Sequence, residues 1–468
     1  MSGHQYSSDG FVTFQSARVL LTDGRLTFDP PLRWGSQIIA ASKYGIGMSL
    51  AYLLYLVPLR QLRPDLFVQT FDPQMAYDQR LLFNELYLYS STLNALVVAG
   101  VAVVTYLTAR ELRLSSGWAV VAALIVGLAS PLAVYARLDF AQPLITLCLM
   151  AALWLWLRAR DNPSGLVALS AGLIMAAGVL TRFDFIVVSV PALLVLALWP
   201  LLSAKPAERR RRLRGLTLAA LAVGAALAVV LGLNLLKFGS ATAFGYPNAW
   251  NSTLEPVLQA LVGHLVSPGA GILWYFPVVT LLPVALPGFV AHRPRVGLVL
   301  VLLLVSYLLL YSVWRNWPGG YAWGPRFLVP LVPLMTLAGV YWAAAGAQRW
   351  QRWWLGGAAG ASWLVSLNGI LFSFLDLFST CGCLNQGPVG SERFTWAGSN
   401  LLAGWNFPVE WHRASMVQAF DLLWLRVLVG SVSAAIAIVA LTALIVAAGL
   451  GLNCLLRAER QTRAPMYD

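Results

Sequence analysis

Trp-Arg-Asn-Trp-Pro-Gly-Gly-Tyr-Ala-Trp-Gly-Pro-Arg-Phe, residues 314–327, joins two apolar runs, 296–313 and 327–346, each long enough to cross a bilayer. The fourteen residues are therefore expected to form a short turn at a membrane surface. Such a turn needs few polar groups, yet this one holds Arg315 and Arg326, three tryptophans, Tyr321, and the set Pro318, Gly319, Gly320, Gly324 and Pro325. Glycines let a backbone come close to a ligand, prolines fix its path, and a guanidinium at the end of an apolar helix matches the fork of a phosphate. The same residues also fit an aromatic belt with snorkelling arginines.

Outward from this turn the chain keeps the same character. Of its 468 residues 59% are hydrophobic and 11% charged, with a mean hydropathy of +0.71, where a soluble domain carries about 25% charged residues. The composition is that of a polytopic helical membrane protein. Cys148 and Cys454 lie in apolar runs, and Cys381 and Cys383 are too close for an easy bridge, so no disulfide framework is expected. The first forty residues are polar and mixed, unlike a cleavable signal peptide.

Apolar runs of membrane length predict eleven spans: 86–109, 117–135, 139–158, 164–182, 184–202, 216–237, 270–290, 296–314, 326–346, 354–374 and 427–452. Alternate connections divide the charge unevenly. One set, including Arg110, Arg158, the Lys205–Arg214 cluster, Arg293, Arg349 and the tail, carries seventeen basic residues against five acids, and the other fifteen against fourteen. The first set is placed in the cytoplasm together with the C-terminus. Residues 1–85, 238–269, 314–327 and 375–426 then lie outside. Two membrane modules are expected, 86–237 and 270–374, with 427–468 as last span and tail. The run 38–59 does not fit this parity as a span, so 45–59 is read as an amphipathic helix in the outer interface.

Ionisable residues at the outer ends of spans are costly, which makes them candidates for chemistry. Asp9 precedes apolar positions at helical spacing, where it serves equally well as a helix cap. Arg137 and Asp139 share the second outer turn, and Arg182 and Asp184 the third; each Arg-x-Asp also fits a local ion pair. Together with Arg326 these arginines form a plausible anion site that Lys43 and Tyr44 could reach. His4 and His264 show no metal-ligand spacing, and no phosphate-binding loop or exposed Gly-x-Ser-x-Gly is present. The Lys205–Arg214 cluster fits topology and lipid headgroups.

In order along the chain, Ser-Ser-Asp-Gly-Phe-Val-Thr-Phe-Gln-Ser-Ala-Arg-Val-Leu-Leu (7–21), Ser-Lys-Tyr-Gly-Ile-Gly-Met-Ser-Leu (42–50), Tyr-Ala-Arg-Leu-Asp-Phe-Ala-Gln-Pro-Leu (135–144), Gly-Val-Leu-Thr-Arg-Phe-Asp (178–184) and Trp-Pro-Gly-Gly-Tyr-Ala-Trp-Gly-Pro-Arg-Phe-Leu-Val-Pro (317–330) resemble motifs of the GT-C superfamily of membrane glycosyltransferases. Within it they are most similar to bacterial family 39 or protein mannosyltransferase-like members. The resemblance implies an all-α bundle of transmembrane helices. It also implies transfer of a hexose or pentose from a polyprenyl-phosphate donor to a lipid, glycan or protein acceptor outside a bacterial inner membrane. It assigns Asp9 as general base or acceptor-orienting group, and Arg182, Arg326, Arg137 and Lys43 to the donor phosphate. Tyr44, Asp139, Gln142, Asp184, Trp317, Tyr321 and Trp323 are expected to contact substrate. No cofactor and no nucleic acid are implied, and a divalent metal is left open. The family's span before the first outer loop is expected to be missing here, and the second outer turn offers Asp139 or Gln142 where the family often has glutamate. A lipid flippase or transporter is the alternative, though such a protein places its ionisable residues mid-span beside broken helices.

Overall fold

The computed structural model describes residues 8–34, 37–68, 92–161, 164–246, 250–320, 322–346, 348–371 and 391–396, together with Ser399 and Leu401. It is a helical membrane bundle. The N-terminal part contributes α1 (Ser8–Asp23), a hairpin of β1 (Thr27–Trp34) and β2 (Gln37–Ala41), and α2 (Ile46–Leu62). The membrane helices follow as α3 (Thr92–Glu111), α4 (Ser116–Leu128), α5 (Pro131–Tyr135), α6 (Gln142–Asp161), α7 (Gly165–Thr181), α8 (Val190–Leu198) and α9 (Pro206–Phe238). After α10 (Leu254–Val266) come α11 (Leu282–His292), α12 (Pro294–Val313), α13 (Val332–Ala345) and α14 (Arg349–Leu371).

Ten of the eleven predicted spans coincide with helical segments; 427–452 lies outside the described residues. Several are broken where sequence periodicity is silent. The run 184–202 opens with a π-helical turn, Phe185–Ser189, and 326–346 with a 3₁₀ turn, Arg326–Leu331, that contains Pro330. The run 270–290 divides at Phe276 ahead of Pro277. Proline removes a helical donor, and π-turns collect at functional sites. The run 38–59 is divided: 38–41 pairs as β2, and the predicted interfacial helix begins at Ile46. The hairpin was missed because Pro30 and Pro31 interrupt its ladder, leaving an irregularity between Thr27 and Leu32.

One apolar core runs from Val98 and Leu153 through Leu303 and Leu334 to Leu355, so the two expected membrane modules share it. Phe14 meets Tyr52 edge-on at 5.5 Å, and Ser49 Oγ donates to the Thr13 carbonyl at 2.9 Å, which docks α1 on α2. Serine caps mark the tight turns: Ser115, Ser130 and Ser164 each accept a backbone N–H of the helix that follows.

Asn94 on α3 shows how the outer turns are held. Its buried Nδ2 donates to the carbonyls of Leu138 and Phe140 at 2.5 and 2.8 Å. Asn94→Leu leaves both carbonyls buried without that donor, and an unfolding titration in detergent is expected to show a loss of about 1–3 kcal/mol. An unchanged midpoint would mean that the turn is held by its other contacts.

Candidate active site

One pocket gathers residues from five distant stretches: Asp9 on α1, Lys43 and Tyr44 ahead of α2, Asp139 in the second outer turn, Arg182 at the end of α7, and Arg326 after the long turn. Tyr246, from the 238–269 segment, also lines it.

Local structure explains how these side chains arrive. Gly45 and Gly47 lie so close to the end of α7 that a Cβ on either would strike Leu180 or Thr181, so only glycine lets α2 start there. Lys43 and Tyr44 are thereby delivered beside Arg182. In the long turn, Gly319 and Gly320 have φ of 81° and 68°, the left-handed region that favours glycine. Their carbonyls point at two arginines: Arg326 Nη1 donates to Gly319 O at 2.9 Å, and Arg393 Nη2 to Gly320 O at 2.8 Å. Arg393 Nη1 also donates to Gly269 O at 3.2 Å, so this buried arginine ties residues 391–396 to the turn that carries Arg326.

Asp9 stands where the charges meet. Tyr44 Oη donates to its Oδ1 at 2.7 Å, and Arg326 Nη2 donates to its Oδ2 in an ion pair. Burial raises the Asp9 carboxyl, but the Arg326 guanidinium, the Tyr44 hydroxyl and Arg182 together hold it below the ordinary carboxylate range. Burial and the neighbouring carboxylate both push the Tyr44 phenol up, so it remains a protonated donor. The Arg326 guanidinium lies 4.2 Å from the centre of the Phe140 ring, a cation–π contact in the dry wall that Asn94 supports.

Arg182 is held from behind. Its Nε donates to Asp184 Oδ1 at 2.9 Å and its Nη2 to Tyr311 Oη at 2.9 Å, while Tyr311 Oη donates to Asp184 Oδ2. Tyr311 stacks on Phe327 at 3.8 Å, and Phe327 follows Arg326 directly, so the two arginines share a rigid support. Lys43 has no carboxylate partner among the described residues; its Nζ lies 4.9 Å from the Tyr246 ring and 5.6 Å from that of Tyr44.

Not every expected site residue reaches the pocket. Asp184 sits behind Arg182, and Arg137 and Gln142 are buried in the turn and at the start of α6 without lining it. Trp317 packs against Gly263 and the edge of His264, and Trp323 against Tyr275 and Gly369. Both tryptophans hold the turn down rather than face the pocket. Tyr321 lies outside the described residues, as does His4. Burial pushes the His264 imidazole down to about 4, a neutral ring in the wall. Among the described residues no three His, Cys, Asp or Glu converge on a metal position. Tyr246, Tyr311 and Arg393 were missed, because nothing in their local sequence sets them apart from the chain's other aromatic and basic residues.

No family model and no curated protein matches the sequence. Among solved structures the chain is similar to ArnT from Cupriavidus metallidurans in the apo state, with a TM-score of 0.48 and 14% identity over 86% of this chain and 72% of that one. It is similar to the same protein bound to undecaprenyl phosphate at 0.49 and 13%, with the same coverage. The archaeal oligosaccharyltransferase AglB from Archaeoglobus fulgidus, in complex with an inhibitory peptide and a dolichol-phosphate, gives 0.43 and 11% over 78% of this chain and 52% of that one.

Proposed function

We propose that this protein is a membrane glycosyltransferase that moves a sugar from a polyprenyl-phosphate donor to a hydroxyl acceptor on the outer face of the membrane. The observation that carries this reading is the convergence of Asp9 with Arg182, Arg326 and Lys43 in one pocket at the ends of apolar helices. The acceptor oxygen attacks the anomeric carbon and gives its proton to the Asp9 carboxylate. The bond from that carbon to the phosphate oxygen breaks, and the polyprenyl phosphate leaves with its negative charge. Arg182, Arg326 and Lys43 are the cations placed to stabilise this charge in a water-poor site. With one base and no evident nucleophile, the course is a single inverting displacement.

A lipid donor also needs a place for its tail. A groove of about 650 Å³ is lined only by aliphatic side chains, proline and methionine, among them Leu304, Leu308, Leu328, Leu331 and Met335. Leu328 and Leu331 stand on the same 3₁₀ turn as Arg326, and Leu308 lies one turn before Tyr311, so headgroup site and groove share their framework. That continuity favours a prenyl chain as occupant.

The test is purified full-length protein incubated with a panel of polyprenyl-phosphate sugars and candidate acceptors, with mass spectrometry of released carrier and product. Release of polyprenyl phosphate matched by glycosylated acceptor is expected for at least one donor. Intact donors across the whole panel would overturn the proposal.

A further inference from the structure

We propose that a slot at the opposite, basic end of the bundle binds the headgroup of an anionic phospholipid. This rests on none of the residues assigned to the sugar-transfer pocket. The slot lies where α9 crosses α6, α7 and α8, and its walls include Trp156, Ser164, Leu196, Arg211, Arg212 and Leu216. Small residues bring α7 and α9 together there: Gly172 lies against Ala219, and Gly215 against Ala168.

Four polar side chains line the slot: Arg212 acts as a clamp, Ser164 Oγ accepts the Leu166 N–H, and Arg211 and the Trp156 indole are left to meet a ligand. Arg212 Nε and Nη2 donate to Glu208 Oε1 at 2.9 and 2.6 Å, and its Nη1 donates to the Ala159 carbonyl at 3.1 Å, which ties α9 to the end of α6. Glu208, the one carboxylate in these contacts, is thus occupied. Arg211, exposed on the same wall, makes no ion pair among the described residues. Trp156 is 8% exposed, and its indole N–H is buried without a hydrogen-bond partner among the described residues.

A buried N–H without a partner is costly, and a cation beside it at the end of apolar helices selects an oxyanion. The apolar part of the same slot, Leu196, Ala168 and Leu216, suits the start of an acyl chain. Nearby, Arg295 lies 5.9 Å from the Trp199 ring, next to Pro200 of the slot, and Leu202 is 85% exposed. Aromatic and basic residues ringing an exposed aliphatic surface mark headgroup depth. A phosphodiester with an attached glycerol and acyl chain satisfies the cation, the N–H and the apolar wall together, whereas free phosphate leaves the last uncovered.

The full-length protein in phosphatidylcholine nanodiscs, titrated with phosphatidylglycerol and read by native mass spectrometry, tests this. Wild-type protein is expected to retain phosphatidylglycerol in preference to phosphatidylcholine. Arg211→Ala and Trp156→Phe are each expected to weaken that retention by about five-fold, the worth of one basic side chain or one hydrogen bond. Arg352→Ala, an exposed basic residue outside the slot, should leave it unchanged. Wild-type retention in both slot variants, equal retention of the two lipids, or displacement of phosphatidylglycerol by inorganic phosphate would each overturn the assignment.

Discussion

Asp9→Asn is expected to leave the protein folded and to lower sugar transfer by about 10²- to 10⁴-fold, the contribution of a positioned general base. Asparagine keeps the volume but offers one oxygen in place of two, so either the Tyr44 hydroxyl or the Arg326 guanidinium loses its acceptor, and a loss of stability accompanies the loss of proton transfer. Turnover by membrane vesicles, beside the unfolding midpoint in detergent, separates the two; normal turnover removes Asp9 from the mechanism. The pH dependence carries a second signature. Because the Asp9 carboxyl is held below its ordinary value, its contribution to stability is present at neutral pH and is lost only as pH falls through that lowered value, below about 4. Arg326 is the strongest of the groups holding it down. A donor phosphate that engages Arg326 withdraws part of that influence, so the acid limb for acceptor turnover at saturating donor is expected above that of the free enzyme. Coincident limbs would mean that Asp9 and the donor do not share Arg326.

Arg326→Ala is the other large effect. The guanidinium joins Asp9, the Gly319 carbonyl and the Phe140 ring, and it is 8% exposed. Its removal is expected to weaken donor binding by about 2–4 kcal/mol, the range for a hydrogen-bonded buried charge losing its partner. Arg326→Lys should recover only part of this, since an ammonium cannot make the forked contact to Asp9 and Gly319 together. Equilibrium binding of a labelled polyprenyl phosphate measures both variants. Unchanged affinity in Arg326→Ala would reduce the residue to a support for the turn.

The motif Trp-Pro-Gly-Gly-Tyr-Ala-Trp-Gly-Pro-Arg shows where sequence reading stops. Its arginine and double glycine are legible, because their roles follow from residue chemistry: a fork that binds oxyanions and a backbone that enters left-handed conformations. The facing of its tryptophans is not legible. Trp317 and Trp323 turn into the protein because Gly263 and Gly369, from other helices, leave room for their rings. The Arg-x-Asp of the third outer turn behaves likewise. Arg182 and Asp184 do pair locally, but Tyr311, 127 residues away from Asp184, completes the unit.

From the sequence by itself came the class and the spans. Hydrophobic runs of bilayer length and an uneven charge distribution are local sums over residues, and they survive without knowledge of neighbours. So did the nomination of Asp9, Lys43, Tyr44, Asp139, Arg182 and Arg326, since charges at helix ends are costly wherever the helices go. Tertiary structure alone decided that those six line one pocket, that Asp9 is paired with Arg326, and that Arg393 braces the turn from a distant segment. These contacts join residues separated by up to 317 positions, and their geometry depends on how the helices pack, which no window along the chain contains.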